Sequence, residues 1–259
     1  MIRVTQIEAG VTSICLDRPE LRNALTPQML REFVDVVKGL TDETRCVLLC
    51  GSGEVFCAGF DLTLCREDPS GEHLRSLLTL LSASLDALRG LVVPVVVGVQ
   101  GGAIAGGCAL LGGADVVVSH RGAKFGYPVA KLGISPAVSA PWLAGAIGWG
   151  LAREALLVPS VFDGREAERI GLVDVLVDEA GEVHVRAMDI AKRLGMKPRS
   201  GLGTTRGWMR EIGVEGGIEG ETGAAALQVS LSLVGSEEQQ ALLPRAWGRE
   251  GGGSRTKDG

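Results

Sequence analysis

A stretch that is dense in glycine and free of charge is the first candidate for chemistry. Residues 100–113 read QGGAIAGGCALLGG, and no Asp, Glu, Lys or Arg occurs from residue 90 to residue 114. A strand that gives way to a helix near Ala105 would leave free N–H groups at the first helical turn. Gly106 and Gly107 would let another molecule approach those groups, which favour a developing negative charge. The stretch predicts an oxyanion-binding backbone, with tight helix packing as the alternative.

Two other interpretations of the same stretch are less consistent with its residues. A membrane-spanning helix needs about 20 continuous apolar residues, but Pro94, Gln100 and the many glycines disfavour one helix here. No cluster of Lys or Arg flanks the stretch on one side, as a spanning helix would require. Neither glycine motif typical of phosphate-binding loops is present in it. We therefore expect neither a membrane span nor a phosphate loop.

Three segments together resemble the enoyl-CoA hydratase/isomerase family, also called the crotonase family. They read RPELRNAL (18–25), GSGEVFCAGFDL (51–62) and VQGGAIAGGCAL (99–110), and FCAGFDL matches the family's F-x-A-G-x-D-[IL] loop. The resemblance covers roughly residues 2–180 in the family's order and spacing. It implies an α/β fold with a crotonase-like ββα spiral core, followed by a C-terminal helical region, and it implies that the chain binds acyl-CoA thioesters.

The resemblance also implies which residues form the site. The main-chain amides of Phe60 and Gly106 would stabilise the enolate-like oxygen of a thioester. Five further residues would lie in the loops that bind coenzyme A: Arg22, Ala24, Ala58, Asp61 and Leu62. We favour a role for Asp61 in holding its own loop over a role as a base, and Arg22 either meets a CoA phosphate or is solvated. No tightly bound cofactor is implied, because coenzyme A would arrive as part of the substrate.

The chain departs from the family where hydratases carry two catalytic glutamates. These positions hold Ala109, three residues after the oxyanion glycine, and Val129 in FGYPVAKLG. No carboxylate occurs between Asp115 and Glu154. Adding water across a double bond needs a base and an acid, and neither alanine nor valine supplies one. We therefore expect a scaffold that polarises a thioester without the family's usual proton-transfer groups.

Several polar residues are candidate replacements, although each also has an ordinary structural interpretation: Tyr127, Lys131, Ser135, Ser139 and His73. One hypothesis is a crotonase-type lyase or isomerase with altered chemistry, such as decarboxylation of a malonyl-type CoA thioester, which forms an enolate without a base. Thioester hydrolysis is also compatible, though no nucleophile stands out. The alternative class is a non-catalytic acyl-CoA-binding protein on the same fold.

The elements that must position these residues alternate between strands and helices. Thr26 is a predicted N-cap, Pro27 fits the first helical position, and Gly39 marks the helix end. A leucine stripe predicts a second helix that ends near Arg89. Strands are predicted at 4–8, 12–16, 46–50, 94–99, 115–119 and 172–177. This order predicts an α/β domain with a largely parallel sheet.

The chain divides into three predicted regions. Residues 1–180 form the acyl-CoA-binding core, 181–245 form two or three covering helices, and 246–259 form a disordered tail. Pro244 should end the last helix near Leu243. The resemblance implies a homotrimer or a dimer of trimers.

Composition narrows the class of protein. A length of 259 residues suits one large domain or two small ones, and a net charge of −5 argues against nucleic acid as the main partner. Six cysteines without a C-x-x-C pair, and three histidines, predict reduced thiols and no metal site. The opening MIRVTQIEAG lacks the features of a signal peptide. We expect a cytoplasmic protein that does not bind membranes.

Overall fold

The computed structural model describes residues 1–66, 68, 70–158, 160–215, 221–232 and 234–242. Nine strands occur in these residues: β1 (Ile2–Ile7), β2 (Val11–Leu16), β3 (Cys46–Gly51), β4 (Val95–Val99), β5 (Gly102–Ile104), β6 (Val116–His120), β7 (Lys124–Gly126), β8 (Val161–Asp163) and β9 (Val175–Val177).

The helices of the same residues alternate with these strands through most of the chain. They are α1 (Pro27–Lys38), α2 (Leu62–Arg66), α3 (Glu72–Gly90), α4 (Gly106–Leu110), α5 (Ala140–Ile147), α6 (Trp149–Leu157), α7 (Gly164–Arg169), α8 (Ala180–Gly195), α9 (Arg199–Glu215), α10 (Glu221–Leu231) and α11 (Glu237–Leu242). The α/β fold class predicted from the sequence is confirmed.

The main sheet has six strands in the order β1-β2-β3-β4-β6-β9. β1 and β2 pair antiparallel, and the remaining neighbours pair parallel. The largely parallel sheet is therefore confirmed. The predicted strand over 172–177 is wrong in its first half, because the amides of Leu172 and Val173 donate to the carbonyl of Ala167 at the end of α7. Only Val175–Val177 joins the sheet.

A second sheet, in the order β5-β7-β8, was not predicted from the sequence. Each of its strands has three residues, too few to show a hydrophobic period. β5 lies within the glycine stretch, and a Cβ on Gly102 would lie 2.6 Å from the carbonyl oxygen of Lys124 in β7. Glycine therefore allows the two backbones to pair closely, and this pairing positions the start of α4.

Helices cover both faces of the main sheet. The helices α1 and α3 pack on one face through a core that includes Phe33 and Leu78. On the opposite face, α8 packs Val183 and Ala187 against strands β3, β4 and β6. The start of α1 is as predicted: Thr26 accepts a hydrogen bond from the amide of Met29 at 3.1 Å, and the helix ends before Gly39.

The C-terminal region differs from the prediction in its number of helices. Four helices, α8 to α11, lie within residues 180–242 where two or three were expected. The last of them ends at Leu242, and the predicted stop at Leu243, Pro244 and the predicted tail (246–259) fall outside the described residues. Within the part of the chain that the structure describes, no helix combines the length and apolarity needed to cross a membrane.

Candidate active site

Two loops that are distant in the sequence meet at one end of the molecule. The loop after β3 runs beside β5, where Cys57 and Ala103 pair as a parallel bridge. The amide of Cys57 donates to the carbonyl of Gly102 at 3.2 Å, and the amide of Ile104 donates to the carbonyl of Cys57 at 3.0 Å. These bonds bring the F-x-A-G-x-D segment next to the glycine stretch.

Phe60 and Gly106 lie against each other where the two loops end. A Cβ built on Gly106 would lie 3.1 Å from Cε1 of Phe60 and 3.2 Å from Cδ1 of Leu25. Gly106 is the first residue of α4, so its N–H has no acceptor within the helix. Among the described residues, neither the amide of Phe60 nor that of Gly106 has a hydrogen-bond acceptor. Two free backbone donors therefore border the same cavity.

The turn that presents Gly106 is held from both sides. Ala105 has φ 50° and ψ −108°, a left-handed conformation that costs energy outside glycine. Its amide donates to the carbonyl of Gly126 at 2.8 Å, and its carbonyl accepts from the amide of Ala109 at 2.9 Å. At Gly107 a Cβ would lie 2.5 Å from the carbonyl oxygen of Cys57. Because α4 has only five residues, it lacks the dipole of a long helix. An anion here would be stabilised mainly by the positioned N–H groups.

The cavity at these amides has a volume of about 100 Å³. None of its described lining residues is charged, and its polar side chains are those of Tyr127, Ser135 and Ser139. The rest of the wall is apolar and includes Ala58, Leu62, Leu78, Ile104, Val129 and Val138. A charge that develops here would meet backbone dipoles in a surrounding of low dielectric constant.

The two positions of the family glutamates lie differently with respect to this cavity. Val129 lines the cavity directly. Ala109 lies one helical turn after Gly106 and is 2% exposed, but it is not part of the lining. Both positions are apolar, so the described cavity wall contains no carboxylate.

Of the polar replacement candidates, the structure brings three to the cavity and leaves two outside. Burial, together with nearby Cys108, raises the pKa of Tyr127 well above its usual value, and interaction with Ser139 opposes the rise. The phenol therefore stays protonated, so it cannot act as a base, and it is a weaker acid than an ordinary tyrosine. Lys131 is exposed, and His73 is at the start of α3, with Nδ1 3.0 Å from a carboxylate oxygen of Asp68.

The residues expected to bind coenzyme A flank the first of the two loops. Arg22 is exposed with a left-handed φ of 52°, and its carbonyl accepts from the amide of Ala58 at 3.0 Å. The carbonyl of Ala24 accepts from Nη1 of Arg18 at 3.0 Å. Ala58 and Leu62 line the cavity. Two of the five predicted residues therefore lie in the cavity wall, and Arg22 is linked to one of them, Ala58, by a backbone hydrogen bond.

The fifth, Asp61, bonds to neighbouring residues of its own loop. Its carboxylate accepts from Nη1 of Arg18 at 2.8 Å, and from the amide and hydroxyl of Thr63. Burial would raise the pKa of Asp61, but the hydrogen bonds from Thr63 and Arg18 outweigh it and hold the pKa below its usual value. Each carboxylate oxygen of Asp61 is therefore engaged in fixing the loop.

Sequence reasoning missed two residues that hold the site together. Asn23 is fully buried and donates to the carbonyls of Ser52, Val55 and Phe56 at 2.8–3.1 Å. Arg18 bridges Asp61 and the carbonyl of Ala24. Both residues belong to the segment RPELRNAL. The sequence signal available for them was that polar residues stand directly before the apolar start of a helix.

Comparisons with known proteins show which family this chain resembles over most of its length. The model of the family "Enoyl-CoA hydratase/isomerase" matches residues 6–212. The 1,2-epoxyphenylacetyl-CoA isomerase of Escherichia coli K12 is 31% identical over 206 residues, which are 77% of this chain and 78% of that protein. Enoyl-CoA hydratase EchA19 of Mycobacterium tuberculosis is 34% identical over 184 residues, which are 69% of this chain and 68% of that protein.

A solved structure gives the same result for the fold. The crystal structure of an enoyl-CoA hydratase/isomerase from Xanthobacter autotrophicus Py2 superposes with a TM-score of 0.84 at 26% identity. The superposition covers 95% of this chain and 92% of that one. The similarity therefore extends well past the core into the C-terminal helices.

Proposed function

The chain belongs to the enoyl-CoA hydratase/isomerase family, and from this premise we propose that it stabilises the enolate of a bound acyl-CoA thioester with the amides of Phe60 and Gly106. The observation that carries the proposal is the pair of backbone amides, without acceptors among the described residues, at one uncharged cavity. An oxyanion there would receive two preorganised hydrogen bonds, each contributing roughly 3–4 kcal/mol.

The proposed chemistry is other than hydration, because Ala109 and Val129 provide no base for a water molecule. Decarboxylation of a malonyl-type thioester fits the site better. The bond to the carboxylate breaks, CO₂ leaves, and the electron pair passes into the enolate whose oxygen the two amides hold. The apolar wall disfavours the carboxylate of the bound substrate more than it disfavours CO₂. In this proposal the neutral phenol of Tyr127, which lines the same cavity, donates a proton to the resulting carbanion.

A second candidate function rests on the same apolar wall. A protein that keeps the two amides and lacks a proton-transfer group can bind acyl-CoA thioesters without converting them. Incubation with crotonyl-CoA, malonyl-CoA and a long-chain acyl-CoA, followed by mass spectrometry of the products, separates the two. Loss of CO₂ from malonyl-CoA supports the enzyme, whereas binding of the thioesters by calorimetry without any product supports the non-catalytic protein. Failure to bind any of the three thioesters contradicts both.

We also propose that the protein is a cytoplasmic homotrimer or dimer of trimers. Exposed apolar side chains on and after α6 support an assembly, since Trp149 is 57% and Leu157 is 74% exposed, and such a surface is typical of an interface. Multi-angle light scattering at micromolar concentration should give three or six times the chain mass. A monomeric mass would contradict the proposal.

A further inference from the structure

Two thiols lie side by side on the face of the main sheet that α8 covers, away from the candidate active site. Cys15 of β2 and Cys50 of β3 are direct partners in the parallel register, so both side chains point to the same face. Neighbouring strands are about 4.8 Å apart, which is within the Cα separation of roughly 4.4–6.8 Å that a disulfide requires. The strand spacing is therefore compatible with a disulfide between these two residues.

Polar groups from three elements surround this pair. Oγ of Ser13 is 3.8 Å from Sγ of Cys50, and Nη2 of Arg3 is 3.6 Å from Sγ of Cys15. His184 of α8, which is exposed, interacts electrostatically with Cys50. Cys15, Cys50 and His184 thus form a compact group, which we call the thiol cluster.

The cluster makes its two sulfurs chemically unequal. The hydrogen bond from Cys15 lowers the pKa of Cys50 most, burial opposes it, and His184 and Ser13 lower it further. The hydrogen bond to Cys50 and burial raise the pKa of Cys15. Contact with Cys50 also raises the pKa of His184. Of these two thiols, Cys50 is therefore the one whose thiolate form is favoured, and its interaction with His184 favours the charged forms of both groups.

The other four cysteines have a different environment. Burial raises the pKa of Cys46, Cys57, Cys65 and Cys108 to about 12 in each case. Cys65 is 5% exposed, similar to the 6% of Cys15 and Cys50, so it offers a control of equal exposure without a histidine. Thiol reactivity depends on the thiolate fraction, and Cys50 is the cysteine of this chain whose thiolate the surroundings favour.

We propose that Cys15, Cys50 and His184 form a thiol-modification site that reacts with small disulfides such as oxidised glutathione and closes to an intramolecular disulfide. The thiolate of Cys50, its proton held by His184, attacks one glutathione sulfur, and the glutathione S–S bond breaks to release one glutathione thiolate. Cys15 then attacks Sγ of Cys50, the mixed disulfide breaks, and the second glutathione leaves. The two released thiolates take up the protons of Cys50 and Cys15. Two cysteines are oxidised and one glutathione disulfide is reduced.

The test is incubation of the whole protein with oxidised glutathione, followed by counting free thiols and mapping the linked peptides. We expect two of the six thiols to be lost and a Cys15–Cys50 peptide to appear. Cys15→Ala should stop the reaction at a glutathione adduct on Cys50, Cys50→Ala should abolish it, and Cys65→Ala should leave it unchanged. Retention of all six thiols, or an adduct elsewhere, would overturn the proposal.

His184 acts through Cys50, so its test is a pH profile of the first alkylation step with iodoacetamide. The titratable and charged groups that interact with Cys50 are Arg3 of β1, Cys15 of β2 and His184 of α8, and Asp17, just after β2, interacts with Cys15. The unmodified protein should alkylate Cys50 at pH 6 at a rate within about threefold of pH 8, whereas His184→Gln should lose about tenfold or more at pH 6. Equal profiles for the two proteins, with circular dichroism confirming the fold of the variant, would refute the assignment of His184.

Discussion

The candidate cavity has two walls that depend on the sequence in different ways. One wall is backbone: the loop at 56–60 and strand β5 present two amides through hydrogen bonds that involve few side chains. The other wall is made by side chains near Tyr127 and Val129. It is apolar at Val129, the position where hydratases of the family carry a glutamate. The backbone donors and the carboxylates of such a site can thus vary separately, because a substitution on one wall leaves the other unchanged.

The largest effect should come from removing a donor of the backbone wall. Gly106→Pro deletes the N–H of Gly106 and should lower acyl-CoA turnover by about 10²- to 10³-fold, the usual loss for one oxyanion donor. If the protein only binds thioesters, the same variant should weaken binding measured by calorimetry.

Gly106→Ala is the matched control, because it keeps the N–H and adds a Cβ that lies 3.1 Å from the ring of Phe60. Ala105 has an unusual backbone conformation that a following proline disfavours, so the fold of Gly106→Pro must be checked by circular dichroism. A folded proline variant that matches the alanine variant in turnover and affinity would refute the oxyanion assignment.

The next effect should come from adding a carboxylate to the side-chain wall. Val129→Glu places a base at the cavity and should raise crotonyl-CoA hydration by about 100-fold, near the lower end for a general base. The apolar surroundings should raise the pKa of this glutamate, so the gain should increase with pH above neutrality.

Val129→Gln has nearly the same shape without the base and serves as control. Ala109→Glu is expected to add less and to destabilise the fold, because Ala109 is 2% exposed and does not border the cavity. An equal increase in hydration in the glutamine and glutamate variants would show that the shape of this wall, and not proton transfer, limits the hydration rate.

A smaller effect is expected for the phenol on the side-chain wall. Tyr127→Phe removes a neutral donor that water can replace, so product formation from malonyl-CoA should fall by less than about tenfold. Ser139 is the polar neighbour of Tyr127. Stopped-flow comparison of Tyr127→Phe with Ser139→Ala measures how much of the rate of product formation depends on the phenol hydroxyl itself. A loss as large as that of Gly106→Pro would mean that proton donation, and not enolate stabilisation, dominates.

The smallest change in activity is expected at Asp61, whose effect should be on stability. Its pKa in the folded protein is lower than its usual value, so its contribution is present above about pH 4 and is lost as the pH falls through the folded value. Asp61→Asn should lower the free energy of unfolding by about 1–3 kcal/mol at pH 7, and by less at pH 3.

Urea unfolding at both pH values measures this difference, and Thr63→Val removes one of the same hydrogen bonds as a control. An equal destabilisation at pH 3 and pH 7 would contradict the charge-dependent role. A loss of catalysis far beyond the loss of stability would instead identify Asp61 as a base.

Local signals in the sequence were sufficient for several elements. Thr26, Pro27 and Gly39 fixed the bounds of α1, because a cap and a helix end depend on neighbouring residues alone. The apolar run CVLLC predicted β3 for the same reason. The positions of Phe60 and Gly106 followed from motifs, and the structure brings them into contact.

The elements that depend on distant partners could not be predicted. The three-residue strands of the second sheet exist because β5 pairs with β7 across the fold, and no pattern within three residues records such pairing. Asn23 holds its loop by hydrogen bonds to residues about 30 positions away. Its place in a polar segment of the sequence does not indicate that its side chain is buried or which residues it contacts. The position of Ala109 relative to the cavity likewise depends on how α4 packs.

The central claim is that this chain keeps the oxyanion-binding wall and lacks a carboxylate base on the other. The most direct test is the initial rate of crotonyl-CoA hydration by the unmodified protein, followed by loss of enoyl thioester absorbance at saturating substrate. General acid–base groups contribute roughly 10²- to 10⁴-fold each, so the account predicts a rate close to the uncatalysed background despite measurable thioester binding. Rapid hydration would show that another residue performs the proton chemistry and would contradict the account.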